Sequence, residues 1–317
     1  MTSTTATEAE ATTTARSHRR IGDRVFSNLA SGAGLTILIV LAGVAAFLMA
    51  EAWPALTAPA ADLPGGEGLL DYVWPLVFGT ILASLIAIVV AVPMAIAVAL
   101  FTSHLAPRLI AQSVAYLVDL LAAIPSIIYG LWGIAVLGPA TVPATEWLAD
   151  NLGFIPFFDG PASTTGRTML VAGLVLALMI LPIISAVARE VFTQTPKGLQ
   201  ESALALGATR WEMIRMVVLP FGRSAIVAGS ILGLGRALGE TMAVTIILSV
   251  SGAITFDLIS SENPSTIAAN IALQFPESSG LDVNVLIATG LVLFAITLAV
   301  NMAARAIISR RERKSDR

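Results

Sequence analysis

Apolar residues gather into six long runs, at 29–50, 74–101, 109–137, 168–187, 221–250 and 283–308, separated by polar stretches. About 20 helical residues span the roughly 30 Å of bilayer hydrocarbon, so each run is long enough to cross as a helix. Strands fit poorly, because the runs are unbroken by turns and lack the short alternation of a barrel. The pattern predicts an all-α integral membrane protein with six transmembrane helices. The opening "MTSTTATEAEATTTARSHRR" is rich in Thr, Ala and Glu, has no apolar period, and reads as disordered. The first apolar run begins late and is too long for a signal-peptide core, so it reads as an uncleaved anchor. The chain then divides into a tail (1–28), a first helix with its outer loop (29–72), a core of five helices (73–309) and a basic tail (310–317).

Composition supports this division. The chain is 56% hydrophobic and 12% charged with a mean hydropathy of +0.85, beyond the range of soluble domains. There is no cysteine and there are two histidines, so disulfides and thiolate metal sites are excluded and no metal centre is expected. The net charge of −3 decides nothing, but its distribution does. Sixteen of the 18 basic residues belong to one side: fourteen fall before the first run, after the last, or in the loops between, among them Arg24, Arg108, Arg189, Lys197 and Arg210, and Arg223 and Arg305 stand at the run ends nearest them. Lys and Arg stay cytoplasmic, which predicts a multi-pass protein of the cytoplasmic membrane with both termini inside. On the other side Arg167 is the one basic residue among acids such as Asp62, Glu146, Asp159, Asp257 and Glu277. That acidic rim repels anions that arrive by diffusion.

The long connection over 189–220 contains "TPKGLQESALALGATRWEMIRMVVLP". Thr195 and Pro196 predict an N-cap and a first helical position, and Gly207 a helix end. Thr209 and Glu212 predict a capping box that starts a second helix, closed by Pro220. Such a bent helix pair is either an amphipathic linker lying on lipid or a docking knob for another protein. No G-x-x-x-x-G-K-[ST] occurs, so the chain holds no P-loop for nucleotide phosphates.

Inside the fifth run, "GLGRALGETMAV" places Arg236 and Glu240 in apolar surroundings. A charge at mid-bilayer costs about 2.5–3.5 kcal/mol, so such residues usually face protein or water. Four residues apart on one helix, the two would share a face. They are either a structural ion pair or an anion path in which the Arg236 fork meets a tetrahedral oxyanion and Glu240 tunes it. Gly229, Gly233, Gly235 and Gly239 predict close helix packing. In the third run Asp119 precedes "LLAAIPSIIYGLWG", where Pro125 predicts a kink and Ser126 and Tyr129 supply hydroxyls. Asp119 is expected to pair with a cation elsewhere, and Pro182 to kink the fourth helix.

Two resemblances sharpen these readings. Glu201-Ser202-Ala203, three residues, Gly207, nine residues, then Val217-Val218-Leu219-Pro220 resembles the E-A-A…G…I-x-L-P motif of ATP-binding-cassette importer permeases, departing from it at Ser202 and Val217. From about residue 75 onward, "PLVFGTILASLIAIVVAVPMAIAVALF", "LLAAIPSIIYGLWG", "GATRWEMIRMVVLPFGRSAIVAG" and "ILGLGRALGETMAV" look like the phosphate-importer branch of that family, and "GETMAV" like its PstC type more than its PstA type. The resemblance implies a type I importer (MetI-like) permease fold in which the first helix is peripheral. It implies substrate contacts at Arg236 and Glu240, with Asp119, Ser126, Tyr129 and Thr241 as weaker candidates, and ATPase coupling through Glu201, Ala203, Gly207, Thr209 and Glu212. The implied partners are a PstA-like permease, a PstB-like ATPase dimer that binds ATP and Mg, and a PstS-like phosphate-binding protein. No cofactor in this chain and no nucleic acid are expected. A permease for sulfate or molybdate is the alternative, and a membrane scaffold without transport a more distant one.

Overall fold

In the computed structural model the described residues are 21–315 without 65, 67, 250, 251 and 253, and at 21, 23, 24 and 307–315 the description is of the backbone alone. The tail expected over 1–28 lies outside the described residues as far as position 20, and from Ile21 the chain is helical. The helices are α1 (Ile21–Thr57), α2 (Leu69–Leu100), α3 (Arg108–Ala123), α4 (Ser126–Trp132), α5 (Gly138–Leu152) and α6 (Met169–Thr193). They continue as α7 (Lys197–Ala205), α8 (Arg210–Met213), α9 (Leu219–Leu238), α10 (Met242–Ile247), α11 (Ile267–Gln274) and α12 (Leu281–Ser315). No β-strand occurs among the described residues. Among the described residues six segments are long and apolar enough to cross a membrane: Val25–Thr57, Leu69–Leu105, Ser126–Leu152, Met169–Thr193, Arg210–Leu238 and Leu281–Ala306.

The described chain divides into two units, one ending at Phe47 and the other beginning at Leu48. In the first, α1 exposes Leu35, Ile37, Leu38 and Ile39, as a helix bathed in lipid does. In the second, α6 is the most buried of the six spans. Ala83, Ala87, Ala91, Ala95 and Ala99 recur every fourth residue of α2, each at most 1% exposed. That spacing puts five methyl groups on one face, and this face closes on α6. From the other side α9 approaches α6 through Gly229 and Gly233, where an added Cβ would lie 3.2 Å from Val187 and 3.1 Å from Ile184. Gly235 faces open space, so only half of the glycines expected to serve packing do so. At the α7 end, the ring of Phe192 fills the space that a side chain at Gly222 would need. It joins Ala188, Met213, Ile214 and Val218 in a buried cluster. The last turns of α1 pack their Ala52 and Ala55 against Val285 and Ala288 of α12, and Asn284 Nδ2 donates to the Glu51 carbonyl at 2.7 Å.

Two spans differ from the sequence expectation. The third was expected over 109–137. Ile124 is extended (φ −71°, ψ 129°), as the residue before a proline prefers, so the chain breaks there and the crossing segment is Ser126–Leu152. The fifth was expected to run to 250 and ends at Leu238, followed by Gly239 and the separate α10. Pro220 does not close the α8 helix either. A π-turn at Ile214–Val218 carries the chain from α8 into α9 with the Leu219 N–H bonded to the Ile214 carbonyl. The wider turn releases the carbonyl with which a proline ring collides in a regular helix. A second π-turn at Gly133–Leu137 precedes Pro139 in the same way.

Gly222→Val, which forces Phe192 from its seat, should destabilise the protein by about 1–3 kcal/mol, whereas Gly235→Ala should melt like the parent. Thermal unfolding in detergent distinguishes them, and equal melting temperatures would contradict the packing described.

Candidate functional site

The helix break at Gly239 alters the relation between Arg236 and Glu240. Arg236 stands in the last turn of α9 and is half-buried. Glu240 lies beyond the helix end and is buried, and its Oε1 accepts the backbone N–H of Ala243 at 3.2 Å. The carboxylate thus caps the start of α10, where free N–H groups and the helix dipole favour negative charge. The shared helix face expected for the two residues is absent, and no ion pair joins them. Thr241 follows with its hydroxyl donating to the Gly239 carbonyl at 3.3 Å. Arg236 therefore stands at the end of α9, immediately before the break that leads into α10.

Tight packing brings α10 to α4. A Cβ on Gly130 would lie 2.9 Å from the Ala243 Cα, and one on Gly133 2.9 Å from the Ile247 side chain. Tyr129 donates to the Leu121 carbonyl at 2.8 Å, which spans the break at Pro125 and gives a second donor to a carbonyl that also accepts the Ile124 N–H at 3.3 Å. Ser126 opens α4, half-buried. The recess beside them is lined by Leu121, Ile124, Ile128, Tyr129, Trp132 and Leu178. Asp119 stands apart from this group. It pairs with Arg189 of α6 at 3.3 Å, which realises the expected cation partner within the same chain.

At the opposite end of α6 from α7, the loops before α6 and before α11 interlock. Ser163 N–H donates to the Ile259 carbonyl and Leu170 N–H to that of Leu258, at 2.8 and 2.9 Å. Asn263, fully buried, donates to Ser260 and accepts from the Met169 N–H. Asp257, expected on an acidic rim, is buried here and accepts from the Ile259 N–H at 3.1 Å. Among the other acids of that rim, Glu146, Asp159 and Glu277 are exposed. Arg167 reaches from this region to the other end of α10, where its Nε and Nη2 donate to the carbonyls of Ile246, Ile247 and Leu248 at 3.3–3.4 Å. The sequence signal was its solitary basic charge among acids; its bonds, some 80 residues distant, carried none.

The α7–α8 element forms with one correction. Pro196 takes the N-cap place expected of Thr195, and the Thr195 hydroxyl is buried without a partner among the described residues. Helix α7 ends in a Schellman turn: Gly207 has φ +88°, its N–H donates to the Leu204 carbonyl, and the Ala208 N–H donates to that of Ala203. The capping box of Thr209 and Glu212 is complete in both directions. Ala203 packs on the Phe192 cluster, while Glu201 is exposed together with Leu199, Leu204, Trp211 and Leu206, the last 90% exposed. The element is anchored on one face and bare on the other.

The family described as the binding-protein-dependent transport system inner membrane component matches residues 91–314. A "phosphate transport system permease protein PstC 2" of Mycobacterium tuberculosis is 47% identical over 300 residues, 91% of this chain and 92% of its own length. The chain belongs to the PstC-type binding-protein-dependent permeases. Another PstC-type relative, from Mycobacterium leprae, is 43% identical over 296 residues, 90% of this chain and 92% of its own. In Haemophilus influenzae a further one is 38% identical over 292 residues, covering 87% and 90%. Among solved structures, an importer of the acidic polysaccharide alginate gives a TM-score of 0.57 at 18% identity, covering 90% of this chain and 99% of its own. The inward-facing MetNI methionine transporter gives 0.53 at 16%, covering 76% and 95%. The chain is a multi-pass membrane protein with the MetI-like permease fold. All the PstC-type site candidates, from Asp119 to Thr241, fall inside the matched region.

Glu240→Ala removes the acceptor of the Ala243 N–H and should cost α10 about 1 kcal/mol, which raises amide exchange in its first turn about fivefold. Glu240→Gln keeps an acceptor oxygen and should stay near the parent. Hydrogen–deuterium exchange read by mass spectrometry checks this, and equal protection in all three would show that the carboxylate does not hold α10.

Proposed function

We propose that the chain is the membrane-spanning permease subunit of an ATP-driven importer of inorganic phosphate, with Arg236 as its phosphate contact. The observation that carries the reading is a half-buried arginine at the interruption of a membrane-crossing helix, in a chain whose PstC-type relatives bear phosphate transport in their names. A guanidinium presents a planar fork of donors that suits a tetrahedral oxyanion. Broken helices at membrane depth commonly line the path of a solute. Glu240 sits at the same interruption as an acceptor. Phosphate at neutral pH carries a proton to donate and sulfate does not, so a nearby carboxylate favours phosphate.

Both termini and the α7–α8 element lie in the cytoplasm in this reading, in accord with the basic loops. The bare face of α7–α8, with Glu201 and Gly207, docks on a PstB-like ATPase dimer that supplies ATP, Mg and all hydrolysis. A PstA-like permease completes the path. A PstS-like binding protein delivers phosphate on the far side, which removes the difficulty of an anion approaching exposed acids. Closure of the ATPases on ATP moves α7–α8 and opens the path outward, and hydrolysis resets it so that phosphate leaves inward.

Phosphate uptake by the reconstituted importer tests the site: Arg236→Gln should lower it at least about tenfold, the scale of a lost charge-assisted contact. Normal uptake would remove Arg236 from the path, and equal competition by sulfate would move the substrate to another oxyanion. Gly207→Val tests the docking element. Its positive φ makes a β-branched residue cost about 1–2 kcal/mol, so ATP hydrolysis and uptake should part company or the ATPase should fail to co-purify, and tight coupling with full recovery would count against this role.

A further inference from the structure

Helix α10 has six residues, too few to hold a helix by its own hydrogen bonds. Nearly every backbone group in it belongs to one end or the other. Its N-terminus is served from within the same segment by Glu240. Its C-terminus is served from 80 residues away, by the three bonds from the Arg167 guanidinium to Ile246, Ile247 and Leu248. A positive group there meets the negative end of the helix dipole. No carboxylate lies within ion-pair distance of Arg167 among the described residues, so its charge is directed to those carbonyls.

Arg167 is itself held in place. The preceding Gly166 has φ +70° and sits so close to the Gly138 backbone that a side chain has no room. The following Thr168, fully buried, caps α6 by accepting the Val171 N–H at 3.2 Å. Asn263 donates to the Arg167 carbonyl at 3.4 Å. The guanidinium is therefore mounted on the start of α6, the most buried span.

We propose that Arg167 is a positioning residue for transport: it clamps the carbonyl end of α10 to the start of α6, and through α10 it sets where Glu240 and Arg236 stand. Insofar as it concerns transport, this rests on the proposed role of Arg236. A lysine keeps the charge but offers one ammonium in place of a rigid fork, so it holds the helix end less well than arginine and better than glutamine.

The chain has no cysteine, so Met242→Cys in the complete importer in proteoliposomes gives a single nitroxide site on α10 within this subunit. Adding Arg167→Gln should make the label more mobile and lower phosphate uptake per assembled complex about tenfold, with Arg167→Lys intermediate in both. A label as immobile as in the parent, or parent-like uptake per assembled complex, would overturn the proposal. If Arg167→Gln does not assemble, Arg167→Lys decides by the same two readings, and parent-like values in it overturn the clamp. Normal uptake by Arg236→Gln sinks the phosphate-contact reading instead, and the label's mobility judges the clamp independently of that result.

Discussion

Close approach of helices without side-chain bulk is the constraint on which the remainder of this structure depends. In lipid there is no hydrophobic reward for burying leucine against leucine, so association comes from packing over a large smooth contact. The alanine ladder of α2 and the glycines of α9 supply that contact on two sides of α6. A helix so enclosed is a fixed reference, and the elements that carry charge are mounted on it: Arg167 just before its first turn, Arg189 with Asp119 near its last, and Phe192 under the α7–α8 element.

Against this rigid frame, the interrupted elements are held by polar bonds in place of bulk. Tyr129 spans the break at Pro125, Glu240 caps the start of α10 and Arg167 caps its end. Each bond reaches a backbone group at a helix interruption, where a bilayer offers no water in its place. The same economy explains why the loops before α6 and before α11 interlock through a buried asparagine. A small set of directional bonds can hold a broken segment in one arrangement and still let it be re-formed, which continuous packing cannot.

What was legible in the sequence was local or strongly periodic. The capping box at Thr209 and the glycine stop at Gly207 depend on residues three or four apart, and both formed. Six apolar runs gave six crossings, because hydropathy reports the cost of leaving lipid. It reports nothing about backbone direction, so the end of α9 at Leu238 was hidden in a run that stays apolar to 250, although Gly239 followed by Glu240 and Thr241 is a stop followed by a start. Pro125 was visible, yet its effect was a full break, since the residue before it went extended. Pro220 misled in the opposite sense: a π-turn is a backbone adjustment with no composition of its own. Arg167 bonds across 80 residues, a distance over which one sequence carries no pairing signal.

The passage of the chain through Pro220 has a mechanical consequence. Because α8, the π-turn and α9 form one uninterrupted segment from Arg210 to Leu238, Trp211 and Arg236 sit near opposite ends of one continuous helix, about 38 Å apart along it at 1.5 Å per residue. A tilt of only about 5° around the Trp211 end carries Arg236 sideways by about 3 Å, the length of a hydrogen bond. An interruption at the proline would have uncoupled the two ends; the hydrogen bond across the π-turn keeps them joined.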